Sequence, residues 1–340
     1  GVEIDVSLVP QRETGMTPYE IMLSESQERM LLVVREGQQR KVERIFGKWD
    51  LHAVRIGQVT RDGMLRVKDH DVIIAEIPNE ALVNEAPLYD RRTAVPDYLV
   101  EVQQQDPRTF DPGPGAEATL FALLESPVIA NKRWVYRQYD HMVRTNTMVT
   151  AGLGAGVVRV KGTQRSLAFS VDGNGRYCYL EPFRGAMLAV AEAARNVVCA
   201  GAVPIGATNC LNFGNPERPE IMWQFVQAVN GIAEACRTLD IPVTGGNVSL
   251  YNETDGQAIY PTPVIGVIGL VEDHDHILKR VFRTEGSAIV LLGANGKGEL
   301  GGSEYLKVIH GVVTGMPPEL DLSLERSLQA FLIDTVRDGL

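Results

Sequence analysis

Long apolar runs are missing from this chain. No stretch approaches the roughly 18 apolar residues that a membrane-spanning helix needs, so no such span is expected. Cysteine is scarce. The four residues Cys178, Cys199, Cys210 and Cys236 are spaced by 21, 11 and 26, and no Cys-x-x-Cys occurs. That spacing excludes a zinc ribbon and a dithiol redox pair, and it reads as reduced thiols of a cytoplasmic protein. Excess positive charge is also absent. The 33 Lys and Arg are outnumbered by 43 Asp and Glu, a formal charge of -10. The balance speaks against unspecific binding to nucleic acid or to an anionic membrane. It does not speak against a phosphate-bearing small molecule, which is held by local backbone N–H groups and single basic residues.

What is present is the balance of a globular protein: 44% hydrophobic and 22% charged residues over 340 positions, enough for two to three domains. The first residue is Gly1 rather than Met, and a strand pattern begins at once, so the chain reads as an internal piece. Thr17, Pro18 and Glu20 form a helix-start signal for 17–23. A strand is expected at Met30–Val34 and a helix over 38–46. A hairpin is expected from 52–60 and 64–68 around Asp62-Gly63, followed by a strand at Val72–Ile77. Prolines then recur at 78, 87, 96, 107, 112 and 114 with no lasting period, which reads as a linker over a domain surface.

A second block starts near 116 with a short helix. Val157–Val160 and Leu167–Val171 alternate like paired strands, Pro182–Ala200 is an alanine-rich helix stopped by Gly201, and Pro204–Thr208 is a strand. Asn215 is the expected cap of a long helix, with Pro216 at its first position. Buried strands follow at 241–244 and 263–271, then a third segment from about 276 with a strand at Ala288–Gly293. The chain ends in an amphipathic helix from Ser323.

Four polar motifs could carry chemistry. Thr244-Gly-Gly-Asn-Val-Ser249 follows a strand. Its glycines suit a tight turn against a ligand, and Asn247 and Ser249 offer neutral oxygens for Mg²⁺ or phosphate. The bland alternative is a plain turn. Asn209-Cys-Leu-Asn212 lies where a strand runs toward a helix, the place where open α/β sheets hold ligands. Ser24-Glu-Ser-Gln27 is a polar cluster that suits a hydroxylated ligand or simply a wet loop. Asp172-Gly-Asn-Gly-Arg-Tyr177 is a bend beside a ligand or a hairpin turn. Lys297 fails the P-loop pattern, because Gly298 stands where Ser or Thr is required. Asp273-His-Asp-His276 reads as a surface loop rather than a zinc site.

Taken in order, eight segments resemble the synthetase subunit of phosphoribosylformylglycinamidine synthase. They are Leu23-Ser-Glu-Ser-Gln-Glu-Arg-Met30, Tyr139-Asp-His-Met-Val-Arg-Thr-Asn-Thr147, Asp172–Tyr177, Pro182-Phe-Arg-Gly185, Ala191-Glu-Ala-Ala-Arg-Asn196, Leu211-Asn-Phe-Gly-Asn-Pro216, Gly245-Gly-Asn-Val-Ser249 and Leu300-Gly-Gly-Ser-Glu-Tyr305.

The resemblance implies an α/β (α+β) fold of tandem aminoimidazole-ribonucleotide-synthetase-like domains, mixed sheets packed with helices. Residues 1–85 would end a first C-terminal domain, 86–115 would link, 116–275 would be a second N-terminal domain that dimerises through its sheet, and 276–340 would begin a second C-terminal domain. It implies an ATP-dependent ligase that converts formylglycinamide ribonucleotide and glutamine-derived ammonia to the amidine in purine biosynthesis, with ATP and Mg²⁺. Glu25, Ser26, Gln27 and Ser249 would bind the ribonucleotide, Asn209 and Gly246 ATP, and Asn247 Mg²⁺. Partners would be a glutaminase subunit and a small accessory subunit. The family's catalytic histidines match no segment here, so this stretch by itself is expected to be inactive. The alternative is a scaffold or structural-nucleotide half of the same enzyme, and a more distant one is another ATP-using enzyme of the same superfold.

Overall fold

The computed structural model describes residues 1–11, 13–25, 29–150, 152–279, 281–282, 284–293 and 298–339. They form two compact units, Gly1–Asp90 and Arg91–Leu340.

In the first unit, β1 (Val2–Asp5) leads to α1 (Pro18–Leu23), whose start is the predicted one. The Thr17 hydroxyl accepts from the Glu20 N–H while the Glu20 carboxylate accepts from the Thr17 N–H. Met30–Val34 is not a strand, contrary to expectation, because no neighbouring strand among the described residues meets its backbone. Helix α2 (Gln39–Gly47) follows, with no buried residue.

Strands β2 (Gly57–Val59), β3 (Met64–Asp69) and β4 (Val72–Pro78) complete a sheet in the order β2-β1-β3-β4. The expected 52–68 hairpin does not form. β1 lies between its two arms, antiparallel to β2 and parallel to β3. Asp62 instead accepts from Thr60 Oγ1 at 2.7 Å and the Met64 N–H at 3.2 Å, turning the chain across the end of β1. The true hairpin joins β3 to β4 through His70 and Asp71, both with positive φ (48° and 69°). This is the two-residue loop whose twist matches that of the strands. A short helix, α3 (Asn79–Val83), closes the sheet segment.

The second unit opens with α4 (Tyr98–Gln104). It straps the surface through hydrogen bonds from Tyr98 Oη to the Tyr179 carbonyl (2.9 Å) and from Gln103 Nε2 to the Leu180 carbonyl (2.6 Å). Next come α5 (Ala116–Glu125), α6 (Arg133–Tyr136) and strands β5 (Thr147–Val149), β6 (Gly156–Arg159) and β7 (Ser166–Asp172). Helices α7 (Gly175–Leu180) and α8 (Pro182–Val198) lead into β8 (Val203–Asn212). Helix α9 (Pro219–Leu239) starts one turn later than predicted. Pro219, not Pro216, occupies its first turn, and the Asn215 side chain is spent on the Glu217 N–H at 2.8 Å. Strand β9 (Val243–Ser249), the small hairpin β10 (Glu253–Thr254) and β11 (Gln257–Ala258), and β12 (Thr262–Val271) follow. Ala288–Gly293 is not a strand, for the same reason as Met30–Val34. Helices α10 (Glu304–His310) and α11 (Leu322–Arg337) finish the unit, the latter as predicted.

The sheet runs β5-β6-β7-β12-β8-β9, antiparallel throughout except for the parallel β8–β9 pair at one edge. Burial follows the two-residue period of a strand. Ala168, Ile265 and Val267 face α8 and are buried, while Phe169, Val171 and Ile268 on the other face are exposed. The alanines of α8 let its neighbours close in, and α9 comes so near that a Cβ on Gly231 would collide with the Phe183 carbonyl.

Candidate functional site

The candidate residues of the second unit gather on the β8–β9 edge. The parallel register sets Asn209 opposite Gly246, Cys210 opposite Asn247 and Asn212 opposite Ser249. Gly245 and Gly246 do not make the expected turn, because both lie within β9 and neither has positive φ. The role of Gly246 is clearance: a Cβ there would strike the Asn209 side-chain oxygen. Asn209 and the open side of Gly246 therefore share one face. Asn247 faces the other way, its Nδ2 3.9 Å from Cys210 Sγ, and Ser249 lies on that same side by strand alternation. Among the proposed contacts, the tertiary structure thus pairs Asn209 with Gly246, and Asn247 with Ser249.

The turn after β9 is braced. Asn252 Nδ2 donates to the Phe213 carbonyl (3.0 Å), the Ser249 carbonyl (2.9 Å) and Ser249 Oγ (3.1 Å), and Tyr251 between them takes a left-handed φ of 61°. Asn212 Nδ2 ties the end of β8 to the Thr262 carbonyl at 3.1 Å. As the outer strand, β9 leaves half of its backbone donors and acceptors unpaired in the sheet. The assembly supplies amides, hydroxyls and backbone groups but no carboxylate or amine from β8 or β9. Such groups donate and accept hydrogen bonds.

Among the described residues no cluster of three or more His, Cys, Asp or Glu could hold a metal. Asn247 contributes one neutral oxygen, which fits Mg²⁺ only as a minor ligand beside phosphate oxygens and water. Asp273–His276 forms a short 3₁₀ turn in which Asp273 accepts from the Asp275 N–H and His274 Nδ1 meets Ser166 Oγ at 2.9 Å. Glu25 is exposed in the first unit, where Arg29 folds back onto the Ser24 carbonyl at 2.5 Å. Ser26 and Gln27 lie outside the described residues, as does Lys297.

Sequence reasoning missed a polar corner joining three distant segments. Asp172–Tyr177 is neither hairpin nor loop, for Asn174 caps α7 by accepting from the N–H groups of Arg176 and Tyr177. Arg176, largely buried, pairs with Glu304 at 2.7 Å and donates to the Gly302 carbonyl at 3.0 Å, while Ser126 Oγ donates to Glu304 at 2.5 Å. Burial would raise the Glu304 carboxyl, but the Ser126 hydroxyl and the Arg176 charge outweigh it and hold the pKa below the ordinary 4.5. Both motifs were visible in the sequence; the separation of 128 positions between Arg176 and Glu304 hid their pairing.

Two family models match the chain. Residues 1–70 match the AIR synthase related protein C-terminal domain, and residues 152–271 match the AIR synthase related protein N-terminal domain. Such an order runs from a C-terminal-type domain into an N-terminal-type one. Curated phosphoribosylformylglycinamidine synthase subunits PurL from Moorella thermoacetica and Caldanaerobacter subterraneus are 52% and 53% identical over all 340 residues. The chain spans 46% of the length of each. Solved structures of T. maritima PurL are also similar. The complex with AMPPCP has a TM-score of 0.70 at 26% identity, covering 99% of this chain and 50% of that one. The complex with FGAR has a TM-score of 0.68 at 25% identity, covering 99% and 48%. The PurLQS structure from Thermotoga maritima has a TM-score of 0.65 at 30% identity, covering 82% and 44%.

The fold and these matches define a protein of AIR synthase related domains. Within that class, the chain belongs to the family of phosphoribosylformylglycinamidine synthase synthetase subunits. No helix among the described residues is long and apolar enough to cross a membrane.

Proposed function

We propose that the chain is one part of a cytoplasmic ATP-dependent ligase that makes formylglycinamidine ribonucleotide. ATP phosphorylates the glycinamide oxygen of formylglycinamide ribonucleotide, and ammonia from a glutaminase subunit then displaces phosphate. Asn209 and the cleared backbone at Gly246 hold ATP. Ser249 is a ribonucleotide contact of the second unit, and Glu25, Ser26 and Gln27 are ribonucleotide contacts of the first. Mg²⁺, carried by the phosphates with Asn247 as one ligand, neutralises charge as the phosphoryl group moves. The supporting observation is the Asn209–Gly246 pairing on an edge strand within the segment matched by the N-terminal-domain model. Carboxylates and bases for proton transfer come from the part of the enzyme that this chain does not span. The exposed face of the six-stranded sheet, with Phe169, Val171 and Ile268, is the face that pairs with a second domain of its kind.

Calorimetry with Mg²⁺ tests this reading. ATP and the ribonucleotide each bind the full-length protein, and Asn209→Ala weakens ATP at least tenfold while leaving the melting temperature within about 2 °C. Unchanged ATP affinity in that variant would remove Asn209 from the site. If full-length protein makes the amidine from ammonia while Asn209→Ala and Gly246→Val change neither affinity nor turnover, this half is a scaffold.

A further inference from the structure

Ser249 ends β9, and a side chain from beyond the strand holds its hydroxyl. Asn252 comes back onto it across a tight turn, in which the Tyr251 N–H donates to the Gly214 carbonyl at 3.0 Å. The backbone of Asn252 is fixed from both sides: its N–H donates to the Phe213 carbonyl at 3.1 Å, and its own carbonyl accepts from the Ile259 N–H at 3.1 Å. Asn212, the register neighbour of Ser249 on β8, spends its Nδ2 on the Cys210 and Thr262 carbonyls, each at 3.1 Å. Among the described residues, Asn252 is the only side chain that hydrogen-bonds Ser249 Oγ.

The chemistry of the amide sets which way that hydroxyl points. Carbonyl oxygens only accept, so the Phe213 carbonyl at 3.0 Å and the Ser249 carbonyl at 2.9 Å can be met only by the NH2 end of Asn252, and the amide has one orientation. The same Nδ2 lies 3.1 Å from Ser249 Oγ, so a lone pair of the hydroxyl shares one of its two hydrogens. The hydroxyl proton has one partner, Asn252 Oδ1 at 3.3 Å. That is long for an O–H···O bond, and an oxygen carrying negative charge is a stronger acceptor than an amide oxygen, so a ligand oxygen displaces it. The turn that brings Asn252 back is held against local cost, because Tyr251 takes the left-handed φ of 61° without being glycine.

We propose that Asn252 is a positioning residue for substrate binding: its amide holds the Ser249 oxygen by a lone pair and leaves the proton free, so that Ser249 meets the ribonucleotide as a hydrogen-bond donor. Asn252 acts through Ser249 and not by touching the ligand. The inference rests on the proposed function for the role of Ser249 as a ribonucleotide contact.

The test is a double-mutant cycle on the full-length protein, with ribonucleotide and ATP affinities measured by calorimetry with Mg²⁺. Ser249→Ala and Asn252→Ala should each weaken the ribonucleotide about tenfold, and the double variant should bind no more weakly than Ser249→Ala alone. ATP affinity should stay within about twofold throughout, since Asn209 and Gly246 share the opposite face of the strand pair. Asn252→Asp, which keeps the size of the side chain but cannot donate, should lose as much as Asn252→Ala and takes its place in the cycle if the alanine variant does not fold. Wild-type ribonucleotide affinity in the Asn252 variants overturns the inference. So does an additive loss in the double variant, or an equal loss for ATP and ribonucleotide, either of which would make Asn252 a brace of the turn and nothing more. If Ser249→Ala leaves the ribonucleotide affinity unchanged, Ser249 itself leaves the site, and the proposed contact falls together with the inference; the other adverse results, obtained while Ser249→Ala does weaken binding, overturn the inference alone.

Discussion

The two units bury very different amounts. Among the described residues, the core of Arg91–Leu340 is a continuous cluster beneath the six-stranded sheet, with Phe213 stacked edge-on to Phe225 at 5.1 Å and Val157, Val190 and Val197 fully enclosed. The core of Gly1–Asp90 is Val6, Ile21 and Val67. Ile4, Val9, Met16 and Ala75 pack partly buried against it, while Met30–Val33 and Val72–Ile74 are exposed. The first unit is therefore held mainly by backbone ladders and caps, the second by packing.

The sharpest way to break this contrast is Phe213→Ala. It should cost the second unit about 3–5 kcal/mol through lost transfer and a cavity, leaving amide protection in Gly1–Asp90 unchanged. Hydrogen exchange resolved by peptide measures both at once, and equal loss in the two units would mean that they unfold together. Glu304→Gln should cost about 2–3 kcal/mol at pH 7, since the Arg176 charge stays buried without its counter-ion. The folded pKa of Glu304 lies below 4.5, so its contribution is complete above that value and fades as pH falls through the folded pKa. Urea midpoints at pH 7 and pH 3 should show the variant's deficit shrinking in acid; a constant deficit would assign the loss to packing. In the first unit, Val67→Ala should cost only about 1.6 kcal/mol, two methyl groups at ~0.8 each. Thr17→Ala should cost about 1 kcal/mol by removing the cap of α1, visible as faster exchange confined to Pro18–Leu23.

Local chemistry was legible wherever its cause was local. The Thr17 capping box, the stop at Gly201 and the alternation of Leu167–Val171 each depend on neighbours a few residues away. The failures were of partnership. Met30–Val34 and Ala288–Gly293 have the composition of strands, but a strand exists only where another backbone meets it. The Asp62-Gly63 hairpin failed because β1, from the other end of the unit, took the central place. At the candidate site, the residue types Asn209, Gly246, Asn247 and Ser249 were read from the motifs. Their division between two faces was not, since it comes from the parallel register of β8 and β9.

The sequence by itself determined which family this chain belongs to, where α1 starts, and that no Cys-x-x-Cys pair is available, because those properties depend on residue type and short spacing. Only the tertiary structure decided that Gly246 clears space for Asn209 and that Glu304 finds Arg176 and Ser126. Each of these joins residues from different elements, and their meeting depends on how the strands and helices stack.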